Sequence, residues 1–208
     1  MIAERGAGYL PKLVLATGNK NKVREIQELL ADLPFTIATI EDYPGLVMPE
    51  EDQPSFAGNA ALKAEAVSKF SGELVLADDS GLEVDALGGR PGVYSARYAG
   101  EEGNYAANNQ LLLQELSGLP PEQRAARFVC AIAICIPGDQ TYIIEESCSG
   151  VIAEELKGKG GFGYDPLFIY EPAGLTFAEM SAEEKNKVSH RGRALKRVRK
   201  LLGKIFIF

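Results

Sequence analysis

The sequence predicts an α/β fold built around a mixed β-sheet. Apolar runs of strand length alternate with amphipathic helical stretches, the pattern of successive strand–helix units. Two longer β-prone runs, "ARFVCAIAICI" and "TYIIEESCSGVIA", are joined by the turn signal "PGDQ" and add an antiparallel hairpin. With 46% hydrophobic and 25% charged residues, the 208-residue chain has ordinary globular composition and is long enough to bury a substantial core.

Each element carries its own signal. "LVLAT" (13–17) reads as a buried strand, and "NKVREIQELLADL" as a helix with Val23, Ile26, Leu29, Leu30 and Leu33 on one face. "FTIATI" (35–40) is a second strand, followed by an acidic, proline-containing loop over 41–54. "SFAGNAALKAEAVSKF" is a helix that Ser55 can cap. "ELVLAD" (73–78) is a third strand, closing on the adjacent carboxylates Asp78 and Asp79 ahead of a Ser-Gly turn. The glycines and proline of "LGGRPGVYSARYAG" demand irregular backbone, and a helix near 103–117 precedes the hairpin. A glycine-rich loop, "KGKGGFGYDP", leads to the short strand "LFIY". Ser181 and Glu184 then form a capping box, and a final helix groups Ala194, Leu195, Val198, Leu201 and Leu202 on one face. With no repeat or linker dividing the chain, residues 1–208 read as one domain.

Composition excludes several function classes. The longest uncharged apolar run, Phe128 to Ile136, is far shorter than the roughly 18–20 residues a membrane span needs. The start, "MIAERGAGYL", lacks an apolar signal core, and a cytoplasmic protein is expected. Cys130, Cys135 and Cys148 lack metal-ligand spacing and read as buried thiols of a reducing compartment. Net charge is −7, yet from Lys185 onward there are nine Lys or Arg and no acid. A helix with a solvated basic face accounts for this better than a nucleic-acid surface, since no aromatic residues interleave with the basic ones. The apolar tail "IFIF" has either a partner or its own core to pack on.

Three stretches carry chemistry. "TGNKNK", Thr17, Gly18, Asn19, Lys20, Asn21 and Lys22, puts small polar residues and two lysines at a strand end and helix start. Free N–H groups and the helix dipole there favour anions, although a merely solvated helix start fits the same residues. Asp78 and Asp79 stay ionised together only if a cation or strong donors compensate. Mg²⁺ ligation, an aspartic-protease half-site and a turn-forming pair all remain open readings. "GKGGFG" satisfies the dinucleotide-binding spacing but lacks its following helix, because Pro166 and β-prone residues come next. It stays a loop whose backbone can approach a ligand. The sole histidine, His190, stands beside Arg191 at a helix start.

Together and in this order, "LVLATGNKNKVREI", "FAGNAALKA", "LADDSGLEVDALGGRPGVYSARYAG", "GFGYDP" and "TFAEMSAEEKNKVSHRGRAL" resemble the inosine triphosphate pyrophosphatase family, from about Lys12 to Leu202. The resemblance implies a two-lobed protein with a long twisted mixed sheet, usually a homodimer, with nucleotide in the cleft between lobes. It implies Mg²⁺-dependent hydrolysis of ITP, dITP and XTP to a nucleoside monophosphate and pyrophosphate. By motif, Thr17 to Lys22 and Lys63 would hold the triphosphate, Asp79 would be general base or metal-bound carboxylate, and Ser80 a substrate contact. Glu51 would join Asp79 on the metal. Phe162, Gly163, Tyr164, Asp165, Lys185, His190 and Arg191 would form the base pocket and its phosphate-facing rim. Many relatives carry an acid where this chain has Gly58, and Glu50 and Asp52 are its nearest substitutes. A related pyrophosphatase of different base preference and a non-catalytic nucleotide sensor are the alternatives.

Overall fold

The apolar run after Lys12 forms strand β1 (Lys12–Leu15), and helix α1 (Lys20–Leu30) folds Ile26 and Leu30 back over it. This computed structural model describes residues 10–206; most of the N-terminal stretch read for a signal core, and Ile207 and Phe208 of the apolar tail, lie outside them. Strands β2 (Thr36–Thr39) and β3 (Leu74–Val84) run parallel to β1 on either side. The predicted hairpin, β4 (Ala125–Cys135) and β5 (Thr141–Ile152), continues the sheet antiparallel to β3. With β6 (Phe168–Tyr170) and β7 (Leu175–Thr176) it is a seven-stranded mixed sheet of order β2-β1-β3-β4-β5-β6-β7.

Both faces of the sheet are covered near β1. Helix α5 (His190–Ile205) joins α1 on one face, burying Leu195, Val198 and Leu202 against Leu74, Leu76, Ile132 and Ile134. Phe206 follows it and sets its ring edge-on to Phe35, so the described part of the tail packs on its own core. On the other face lies α2 (Phe56–Ser71), started by the Ser55 hydroxyl accepting from Gly58 N and ended by Gly72 at φ 70°. Its Ala60 and Ala64 meet Ala77, Ala131 and Ala133 of the sheet, and these small side chains let helix and sheet approach closely. At the far end of β3–β5 a separate apolar cluster gathers Leu82, Phe128, Phe168 and Phe177 with Leu112 of α3 (Tyr105–Glu115). Helix α4 (Ala182–Val188) opens with the predicted capping box of Ser181 and Glu184.

One expectation fails. "DDSG" is not the end of a strand followed by a turn: β3 runs through it to Val84, each residue paired with β4, as Asp79 with Ala131 and Gly81 with Val129. Asp, Ser and Gly disfavour strands on their own, but ten cross-strand partners on β4 override that preference. Gly81 is required for close approach rather than for a turn. A Cβ there would stand 2.4 Å from the Ser95 hydroxyl and 2.6 Å from the Gly92 carbonyl. Gly81→Ala is therefore expected to cost about 1–3 kcal/mol, measured by chemical denaturation.

Candidate active site

The site exists because β1 is short. It pairs with β3 only from Leu74 to Leu76, so the same edge of β3 has no strand beside it from Asp78 onward. Side chains meet two of its backbone groups there, and the Arg90 carbonyl accepts from Val84 N. The Asp78 carbonyl accepts from Lys63 Nζ at 3.1 Å and Lys22 Nζ at 3.5 Å, and Leu82 N donates to the Ser95 hydroxyl at 2.9 Å. A crevice at the carboxyl end of a parallel strand is where α/β sheets place ligands. Here it opens into a cavity of about 800 Å³. Every residue assigned a site role from the sequence lines it, from Thr17–Lys22 to Arg191. Of the two substitutes for the acid missing at Gly58, Glu50 reaches the lining and Asp52 does not.

The loop between β1 and α1 is preformed. Asn19 caps α1, its Oδ1 accepting from Asn21 N at 3.0 Å and Lys22 N at 3.3 Å, while Asn19 N donates to Thr17 Oγ1 at 3.2 Å. The helix N-terminus and Lys20 and Lys22 thus face one cavity, an arrangement suited to an anion.

The adjacent carboxylates are separated by the pleat. Successive strand residues point to opposite faces, so Asp78 faces α5 and Asp79 faces α2. Asp78 is fully buried, with Lys22 Nζ at 2.6 Å, Arg191 Nε at 2.9 Å, the Ser80 hydroxyl at 2.9 Å and the Cys130 thiol at 3.1 Å. Burial alone would raise its pKa, but Arg191 and Lys22 hold it well below the usual carboxylate range. Asp79 meets Lys63 Nζ at 3.1 Å and Asn59 Nδ2 at 3.3 Å. Its pKa is raised, by burial first and by neighbouring Glu51 too, against the pull of Lys63 and Lys22. Lys63 Nζ also binds Glu51 at 2.8 Å, so both carboxylates converge on one cationic group.

The opposite wall is aromatic and cationic. Lys185 Nζ and the Arg191 guanidinium lie 5.0 and 5.6 Å from the Phe162 ring centre. Asp165 binds Lys185 Nζ at 2.6 Å and Phe162 N at 2.8 Å, and the Tyr164 hydroxyl donates to the Ser95 carbonyl at 2.9 Å. These two therefore shape the loop. His190 stacks on Phe128 at 4.6 Å with 9° between ring planes, and its buried Nδ1 has no partner among the described residues. Burial, with Arg191 close by, keeps its pKa well below the ordinary value, so the ring is neutral.

A model described as the Ham1 family matches residues 13–201. The chain belongs to the Ham1 family. It is 54% identical, over 94% of its own length and 98% of the relative's, to a protein of Desulforamulus reducens named dITP/XTP pyrophosphatase. It is 50% identical to one of the same name from Geobacter sulfurreducens, over 93% and 98%. A solved HAM1 protein structure from Coxiella burnetii superposes with a TM-score of 0.85 at 38% identity, over 93% of this chain and 99% of that one.

Two acids of this Ham1-family site carried no assigned role in the sequence reading. Asp78 was visible as one of a pair, but not as the acid that holds Lys22 and Arg191. Glu25 binds Lys185 Nζ at 2.9 Å and also bonds Arg191. Its only local signal is its place one turn after Lys22 on α1.

Proposed function

We propose that this chain hydrolyses ITP, dITP and XTP to the nucleoside monophosphate and pyrophosphate, clearing deaminated purines from the nucleotide pool. The observation that carries this is the convergence of the lysine-bearing loop and the Glu51–Lys63–Asp79 cluster on one cavity, in a chain whose Ham1-family relatives are named for that activity. Lys20, Lys22 and the α1 N-terminus neutralise triphosphate oxygens and hold the leaving pyrophosphate, the positioning and electrostatic work that dominates phosphoryl chemistry. Asp79, its basicity raised by burial, accepts the proton of the attacking water.

Mg²⁺ fits the residues present. Among the described residues no three acidic, His or Cys side chains cluster as a metal cage, but Mg²⁺ takes one or two carboxylates and completes its shell with water and substrate phosphates. Glu51 and Asp79 already share a cation, the Lys63 ammonium, and they are the residues that would hold it. When bound it supplies charge neutralisation and acidifies water.

Base choice follows from the opposite wall. Phe162 offers a ring face, and the neutral His190 on the cavity wall has one ring N–H, which, turned to C6, would pair with a carbonyl and oppose the amino group of adenine. Such a mismatch discriminates by up to roughly 10⁴. No described helix is long and apolar enough to cross a membrane; the cytoplasmic placement rests on the three buried, unpaired cysteines, which suit a reducing compartment. One continuous sheet supports a single two-lobed domain; the homodimer rests on the family resemblance.

A panel of ITP, XTP, GTP and ATP read by pyrophosphate release tests the base reading. ITP and XTP are expected to exceed ATP in kcat/KM by at least about 10². Equal rates on all four nucleotides would contradict it.

A further inference from the structure

Helix α3 stands over the same cavity without a part in the chemistry above. Tyr105, in its first turn, accepts a hydrogen bond from Asn19 Nδ2 at 3.1 Å, and its ring lies 6.2 Å from that of Phe162. Asn109, four residues on and so on the same helix face, donates to the Gly163 carbonyl at 3.0 Å. That orientation leaves the Asn109 Oδ1 buried without a partner among the described residues, so the Gly163 bond is kept against the cost of an orphaned acceptor. One helix face thus grips both walls, the anion loop through Tyr105 and the glycine loop through Asn109.

The grip on Asn19 has a specific consequence. An amide is planar, and with Oδ1 committed to Asn21 N and Lys22 N, Nδ2 must point away from α1. The Tyr105 hydroxyl meets it there. A flipped amide would turn its NH₂ toward two backbone donors and lose both cap bonds, so the backbone sets the amide's orientation and the Tyr105 hydroxyl anchors its outer end. We infer that Tyr105 is a positioning residue for the triphosphate: from across the cleft it fixes the Asn19 cap and holds the anion loop in its binding shape before substrate arrives. Preorganisation of this kind raises affinity by removing an ordering cost. The inference rests on the proposed triphosphate site and deepens it.

Tyr105→Phe keeps the ring and removes the hydroxyl. KM for ITP and Kd for inorganic tripolyphosphate, which has no base or sugar, are both expected to rise about three- to tenfold, the share of one hydrogen bond, with kcat and melting temperature unchanged. Unaltered affinity for both ligands overturns the inference. So does an effect on ITP alone, which would place the action on the base or sugar, and so does a fall in kcat with a lowered melting temperature, which would mark a purely structural role. The wild-type arm judges the activity separately. If the wild type binds tripolyphosphate yet releases no pyrophosphate from ITP, the activity reading fails and the variant's tripolyphosphate affinity still decides the role of Tyr105. A wild type that binds no tripolyphosphate overturns the inference itself.

Discussion

Asp79→Asn is expected to lower kcat for ITP by about 10²–10⁴, the contribution of a positioned proton acceptor, with little change in stability. Both halves follow from the environment of one carboxyl. Its basicity is raised on folding because burial and Glu51 outweigh the pull of Lys63 and Lys22. A carboxyl whose pKa rises on folding destabilises the fold when charged, so the neutral amide removes that cost, which offsets the loss of one of the two carboxylates that hold the buried Lys63 ammonium. Asn retains the size of the side chain and a hydrogen-bonding oxygen for Lys63 Nζ but accepts no proton from water. Steady-state kinetics together with a melting curve separate the two effects. Turnover close to wild type would remove Asp79 from the proton-accepting role, and a large drop in melting temperature would refute the stability argument.

Asp78→Asn, one residue away, is expected to lose far more stability. Asp78 has a depressed pKa, and its charge is what neutralises Lys22 and the buried Arg191. Removing one member of a buried, hydrogen-bonded ion pair costs about 3–5 kcal/mol, because the partner is left charged in low dielectric. In a chain of this size that corresponds to a fall of about 6–20 °C in melting temperature. Denaturation monitored by circular dichroism reads it directly. A variant as stable as the wild type would show that Lys22 and Arg191 find other partners when Asp78 is neutral, contrary to the network described. The contrast between two adjacent aspartates is the useful part: the strand pleat sends one to each face of the sheet, and the faces have different work.

Much of this was legible in the sequence, and what was not has a physical reason. Local periodicity located β1, α1, the long hairpin and the basic α5, since each buries a continuous apolar face that the spacing records. The capping signals at Ser55 and Ser181 act over three or four residues and were equally readable. The run of β3 through Asp78–Gly81 was not, because its support comes from β4 and from Lys22 and Lys63. Glu25 is invisible for the same reason. It sits on the exposed-looking side of an amphipathic helix, and its partners, Lys185 and Arg191, lie 160 and 166 residues away. The family resemblance assigns His190 to the base pocket and its rim, and the structure adds that it is buried, neutral and stacked on Phe128, which burial by distant β4 and not the "SHR" triplet decides.

The central claim is that two carboxylates sharing a cation and a lysine-bearing helix end act on one triphosphate. The most direct test is product analysis of the wild-type protein with ITP, in Mg²⁺ and in excess chelator. IMP and pyrophosphate are expected in equal amounts with Mg²⁺, and essentially no turnover with the chelator. Release of orthophosphate, or pyrophosphate formation indifferent to chelation, would contradict it.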